Sequence, residues 1–220
     1  MSTLDHSPFV LKPQQARSRI ALAKIVSAAT SLLAAESGAG EFSMADVAQA
    51  AQVPVASLYR RFRSKDDLLQ AIKLEATARI EGAILARMAQ ARFDSAEAVV
   101  HGFASAAAEA LSAEERLHRF LFNQSVRNDR LEQVGWDTRS RIFGHYSDAL
   151  RVFLRGIPDE HAGIAVRVSF HILSSAFVGK ARGADATLAD FSWPLLLSEF
   201  GAAAVAYLHS TIEFAHVGPD

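Results

Sequence analysis

The stretch FSMADVAQAAQVPVASLYRRFRSKDDLL, Phe42 to Leu69, decides the fold. It reads as two short helices joined by a tight turn, with a third helix beginning at once. Ser43 and Asp46 form a capping-box pair: the hydroxyl accepts from the Asp46 N–H, and the carboxylate reaches back to the Ser43 N–H. Met44, Val47, Ala48 and Ala51 then recur at i, i+3, i+4 and i+7, which is one apolar stripe of a helix. Pro54 suits the first position of the second helix, where a missing N–H costs nothing. Val55, Leu58, Tyr59 and Phe62 continue with the next stripe. Ser64 with Asp67 repeats the capping-box pattern and opens the third helix. Between the caps the short second helix exposes Val55, Ala56, Ser57, Arg60 and Arg61. A short exposed helix ending in two arginines suits a DNA major groove, with the arginines and Lys65 near phosphates.

SLYRRFRSKDDLL, preceded by FSMADVAQAA, resembles the helix-turn-helix of the tetracycline-repressor (TetR) family of bacterial transcription regulators. The resemblance covers roughly the first third of the chain and is far more specific than a lone short motif. Tyr59 resembles the family's phosphate-contacting tyrosine and Lys65 its phosphate-binding lysine. One position departs from the pattern. The family usually has Gly in the turn where this chain has Gln52, and a small residue there allows a tight backbone path. Val55 and Ala56 carry no hydrogen-bonding side chain, so base readout there is apolar, against thymine methyls. Ser57 and an arginine must supply the polar discrimination. The DNA-facing set is Arg17, Ser43, Pro54, Val55, Ala56, Ser57, Tyr59, Arg60, Arg61 and Lys65.

Charge distribution agrees with this reading. The 220 residues carry a net charge of −1, but Lys12 to Arg79 holds ten Lys/Arg against six Asp/Glu, and Ile80 onward thirteen against seventeen. A basic N-terminal module on an acidic body fits a DNA reader whose remainder stays off the phosphates. Half the residues are hydrophobic, rich for a monomer's surface, and leftover apolar surface points to oligomerisation. There are no cysteines, in keeping with a reducing cytosol. The first residues, MSTLDHSPFVLKPQQARSRI, contain no long apolar run of a secretory signal. The expected location is cytoplasmic.

Outward from the motif, every periodic segment is helical. Residues 1–16, with Pro8 and Pro13, read as a flexible tail, from which Arg17 and Arg19 lie within reach of DNA. Arg17 to Glu36 is a helix with Ile25, Ala28, Ala29, Leu32 and Leu33 buried, ended by Gly38 and Gly40. The third helix of the motif runs from Lys65 to about Ala91, with Gly82 a weak point near the module boundary. Further helices span Ala96 to about Leu111, Ala113 to about Gln124, Asp129 to Leu154, Asp159 to about Arg182, and Trp193 to about Ile212. In the helix from Asp129 to Leu154, Val134, Ile142, Tyr146, Leu150 and Phe153 are spaced for burial. Gly183 to Phe191 reads as a loop and EFAHVGPD as a fraying end. The fold class is all-α: an N-terminal three-helix helix-turn-helix domain over 17–81 and a helical ligand-binding and dimerisation domain over 82–220.

The histidines show no zinc spacing, and His101, His118, His145 and His171 fall on different helices. No phosphate loop or G-x-S-x-G is present, so neither an enzyme nor a cofactor is expected. The body aromatics sit at helical spacing and serve as core; some are candidates to line a pocket between helices. That candidate effector set is Phe103, Phe120, Asn123, Trp136, Phe143, Tyr146, Phe170, His171 and Phe177. The last helix has about the length of a membrane span, but Glu199 sits near its middle and no basic flank anchors it. Its small residues, Gly201 to Ala204, suit close helix packing. The resemblance implies that the last two helices form a four-helix dimer interface; ordinary packing within one chain accounts for the same residues. The expected partners are a double-stranded DNA operator, an unidentified small-molecule effector and a second copy of the chain, with no membrane. The expected function is a homodimeric, ligand-responsive transcriptional repressor on a palindromic operator. The competing readings are an α-helical enzyme and a ligand-free DNA-binding structural protein.

Overall fold

The computed structural model describes residues 16–35, 42–123, 129–183 and 185–217. The tail assigned to the residues before Ala16 and the glycines at 38 and 40 lie outside that set. Among the described residues nine α-helices follow one another: α1 Ala16–Ala34, α2 Met44–Ala50, α3 Val55–Tyr59, α4 Lys65–Gln90, α5 Ala96–Ser112, α6 Glu115–Asn123, α7 Asp129–Arg151, α8 Asp159–Arg182 and α9 Trp193–Val217. Among the described residues there is no strand, as the unbroken 3.6-residue periodicity requires.

The chain forms two compact units. Of the described residues, the first comprises those within 1–79 and 114–135, the second those within 80–113 and 136–220. This is not a linear division at 81/82. Residues 114–135 join the first unit because Leu117 and Leu121 of α6 belong to its core, and α6 packs on α1. In that core Leu22, Ile25, Ala29 and Leu33 of α1 meet Met44, Val47 and Ala48 of α2, Leu58 and Phe62, and Leu68, Ile72 and Ala76 of α4. Ala28 and Leu32 flank it, partly buried.

In the second unit α8 packs on α9 and α5, and α5 on α9. The alanines of α5 are the reason these helices approach closely: Ala104, Ala106, Ala107 and Ala108 are all buried. Val99, Phe103, Tyr146, Leu150, Phe170, Leu173, Phe177, Leu196, Ala204 and Leu208 fill the rest of the interior. Gly183 ends α8 in the left-handed region (φ 61°), its N–H bonded to Gly179 O and Lys180 O. A side chain is disfavoured there, which is why the break falls at a glycine.

Several boundaries differ from the sequence expectations. The loop after α8 contains a 3-10 turn, Ala186–Leu188, opened by Asp185 accepting from the Thr187 N–H. Helix α7 stops at Arg151, because the Phe153 and Leu154 N–H groups turn to Leu150 O and Arg151 O, and Gly156 follows at φ 98°. Of its expected buried positions Val134 and Phe153 are half-buried, while Ile142, Tyr146 and Leu150 are buried. Helix α9 continues beyond Ile212 to Val217.

Candidate functional site

The recognition segment is built from its caps. Ser43 Oγ accepts from the Asp46 N–H at 3.2 Å while Asp46 Oδ2 accepts from the Ser43 N–H at 2.7 Å, so both halves of the capping box form. The Ser43 N–H, and after it the Ser43 hydroxyl, donate to Asp46 Oδ2 and lower the carboxyl pKa from its ordinary value. At the second cap only one half forms as expected: Asp67 N–H donates to Ser64 Oγ, but the Asp67 carboxylate takes the N–H of Arg63 rather than that of Ser64.

The turn between α2 and α3 is a Schellman motif. Val53 N–H bonds Ala48 O at 3.0 Å and Gln52 N–H bonds Gln49 O at 3.1 Å, and Val53 rests against the core. The motif requires a left-handed residue, and Gln52 supplies it at φ 55°. The tight path is therefore kept without glycine. Pro54 is the residue before the helix rather than its first, with ψ 138° and its carbonyl accepting from Ser57 and Leu58.

Helix α3 divides its side chains between core and solvent. Leu58 and Phe62 are fully buried, whereas Val55 is 42% and Tyr59 51% exposed. The expected four-residue apolar stripe is corrected to two: a helix of five residues has one buried turn, and Val55 and Tyr59 project from it. Ala56 and Arg60 are exposed beside them. Ser57 is engaged twice, its Oγ by Arg60 Nη2 at 2.7 Å and its carbonyl by Arg61 Nη1 at 2.9 Å. Partial burial, with Arg60 adjacent, lowers the Arg61 pKa from the ordinary arginine value. Lys65 Nζ donates to Phe42 O at 2.7 Å and lies over the Phe42 ring. Arg17 falls in the first turn of α1; its side chain lies outside the described residues. Val55, Ala56, Ser57 and Tyr59 thus share one short helix with Arg60 as its C-cap, and Ser43, Arg61 and Lys65 flank it in sequence.

The candidate effector residues are divided between the units. Phe120 packs on the first unit's core and Asn123 is exposed at the end of α6. In the second unit Phe103, Phe143, Tyr146 and Phe170 form one aromatic cluster with ring centres 5.0–5.7 Å apart. Tyr146 is fully buried and its hydroxyl shares a 2.8 Å hydrogen bond with Ser169, whose own hydroxyl donates to Val166 O. Burial raises the phenol to about 12, the serine bond opposing it. Phe177 is buried, while Trp136 is 66% exposed and His171 exposed, so Trp136 is not core. Two polar residues that sequence reading missed, Arg139 and Ser174, stand at the edge of this cluster. An arginine on a long helix carries no periodic signal that separates it from a solvated face. Among the described residues no group of three or more His, Asp or Glu gathers as metal ligands.

Residues 25–72 match the family of bacterial regulatory proteins named tetR. No curated protein matches the chain. Among solved structures the chain is similar to a candidate TetR-family transcriptional regulator of Mesorhizobium loti, with a TM-score of 0.68 and 19% identity over 89% of this chain and 98% of that one. It is also similar to the fatty acid degradation regulator FadR of Bacillus halodurans (TM-score 0.60, 17% identity, 88% and 97% covered). A transcriptional regulator of Rhodococcus sp. RHA1 aligns with a TM-score of 0.58 at 20% identity, covering 86% and 96%.

Proposed function

From the premise that the chain belongs to the TetR family and is a DNA-binding transcriptional regulator, we propose that it acts as a homodimeric, ligand-responsive repressor on a near-palindromic operator. The observation that carries this reading is the division of α3 and the turn that follows it: Leu58 and Phe62 are buried while Val55, Ala56, Tyr59 and Arg60 are exposed. Val55 and Ala56 would contact thymine methyls. Arg60, Arg61, Tyr59 and Lys65 would meet phosphates or base edges, and phosphate contacts fix register without reading sequence.

Dimerisation is supported by α9. Residues Trp193–Glu213 are apolar enough, by length and composition, to cross a membrane, yet only 22% of an 18-residue apolar window within them is buried inside one chain. Leu195 is exposed, as are Ala202, Ala203 and Ala206, and α8 exposes Ile164 and Val178. A second copy covering these faces removes apolar surface from water. The reading is non-enzymatic and cytoplasmic. A small molecule held by the second unit would act by population shift, weakening DNA binding only as far as it prefers the non-binding conformation.

Selection of binding sites from a random duplex pool tests the reading. The expected product is a near-palindrome whose half-sites are centred about 34–36 Å apart or a multiple of that. Recovery of no enriched sequence, or of single asymmetric half-sites only, overturns it.

A further inference from the structure

The second unit contains an arginine held in place by neutral groups. Arg139 Nη2 lies 3.2 Å from His171 Nδ1 and 3.0 Å from Ser174 Oγ, and its guanidinium carbon lies 5.5 Å from the centre of the Phe170 ring. The His171 ring is oriented in turn by Ser175 Oγ, 3.3 Å from Nε2. Accepting at Nδ1 makes His171 the neutral Nε2–H tautomer, so it adds no negative charge. Among the described residues no carboxylate pairs with Arg139. The contrast within the same unit is direct: Arg141 is chelated by Glu81 and Arg87 pairs with Glu109 at 3.0 Å. The structural ion pair of α7 is therefore made two residues further along. Arg139 is oriented, half-buried, and left with its positive charge uncompensated.

Its surroundings are apolar. Trp136, Arg139 and Phe143 follow at i, i+3 and i+7 along α7, which places them on one side of the helix. Trp136 is two-thirds exposed, and half-buried Phe143 packs edge-on against Phe170 at 5.2 Å. With Nη2 donating to His171 and Ser174, the Nη1–H and Nε–H groups are left to give a carboxylate oxygen a charge-assisted hydrogen bond. An indole and a phenyl ring on the same helix side offer cover for an apolar body.

We propose that Arg139 is the anchor of an effector site for small carboxylic acids with an apolar body, the carboxylate taken by the guanidinium and the body laid between Trp136 and Phe143. The site rests on the reading of the chain as effector-responsive and names the chemical class of that effector. His171 and Ser174 are positioning residues, acting through the guanidinium.

The test is calorimetric titration of the full chain with phenylacetate and octanoate, each beside its neutral amide. The acids bind the wild-type chain, and the amides bind about tenfold or more weaker, because a charge-assisted pair is replaced by a neutral one. In Arg139→Gln the acid and amide become equal, in Arg139→Lys part of the preference returns, and in Trp136→Ala both ligands weaken together. Arg167→Gln, an exposed arginine of α8 outside the site, leaves the preference intact. Equal binding of acid and amide to the wild-type chain overturns the proposal, and this comparison needs no variant to fold. An acid preference that survives Arg139→Gln, or no binding of either acid at millimolar concentration, also overturns it. Duplex binding measured on the same preparations separates the two readings: intact DNA binding without acid binding sinks only this inference.

Discussion

Lys65 at the start of α4 donates to the main-chain oxygen of Phe42 at 2.7 Å, and its ammonium lies 4.3 Å from the centre of the Phe42 ring. One cation thus ties the entry of α2 to the entry of α4, across twenty-three residues of sequence.

Replacing Lys65 by Ala should therefore have two separable effects. Loss of the bond to a half-buried carbonyl and of the ring contact lowers stability by about 1–2 kcal/mol in urea unfolding. Loss of a phosphate contact weakens binding to all DNA sequences about equally and flattens the log affinity against log salt slope by about 1. A stability loss with an unchanged salt slope would leave Lys65 a purely structural tie.

Gln52 holds the left-handed position of the Schellman turn at φ 55°. That conformation costs an L-residue about 1–2 kcal/mol, against about 0.5–1 kcal/mol of extra chain entropy that glycine loses on folding. Gln52→Gly should accordingly raise unfolding stability by about 0.5–1 kcal/mol, and β-branched Gln52→Val should lower it by more than that. Equilibrium urea curves decide the sign; a glycine variant less stable than wild type would mean that the turn carries no strain.

The small residues of α9 point in two directions, which separates two substitutions that look alike in sequence. Gly201 is buried, and a Cβ there would meet His101 Nδ1 at 3.1 Å and Cε1 at 3.3 Å. Gly201→Leu should destabilise the second unit by overpacking, about 1–3 kcal/mol, whatever the oligomeric state. Ala203 is exposed, so Ala203→Glu should preserve the fold and shift the sedimenting species to monomer. A folded Ala203→Glu variant that keeps a dimer mass would move the interface away from this face.

Glu81, its side chain 14% exposed, is chelated by Arg141 and accepts from Thr138 Oγ1 at 3.0 Å. The Arg141 hydrogen bonds, opposed by burial and aided by Thr138, lower its pKa from the ordinary glutamate value. A carboxyl whose folded pKa is depressed contributes stability that is complete at neutral pH. That contribution is lost as pH falls through the unfolded value, about 4.3, and on through the folded one. Arg141→Met should cost about 1 kcal/mol at pH 7, discounted because the arginine is half exposed, and should make the acid limb of the stability curve shallower. Parallel acid limbs for wild type and variant would show that the pair does not set acid stability.

Local chemistry made the N-terminal module legible. The Ser43–Asp46 box, the stripe of Met44, Val47 and Ala48, and the basic end of α3 are interactions within a few residues, so spacing alone encodes them. The all-helical class followed from periodicity in the same way. Two features of the module were decided in the folded chain: of the stripe Val55, Leu58, Tyr59 and Phe62 only Leu58 and Phe62 are buried, and Gln52 adopts φ 55° where Val53 rests against the core. In the body, sequence separation is the obstacle. Whether Phe103, Tyr146 and Phe170 meet, whether Gly201 faces His101 or a second chain, and whether Arg139 or Arg141 takes the carboxylate of Glu81 depend on helix rotation and register. Those are fixed by packing between segments tens of residues apart, and a helix carries the same periodic pattern whichever neighbour it buries against.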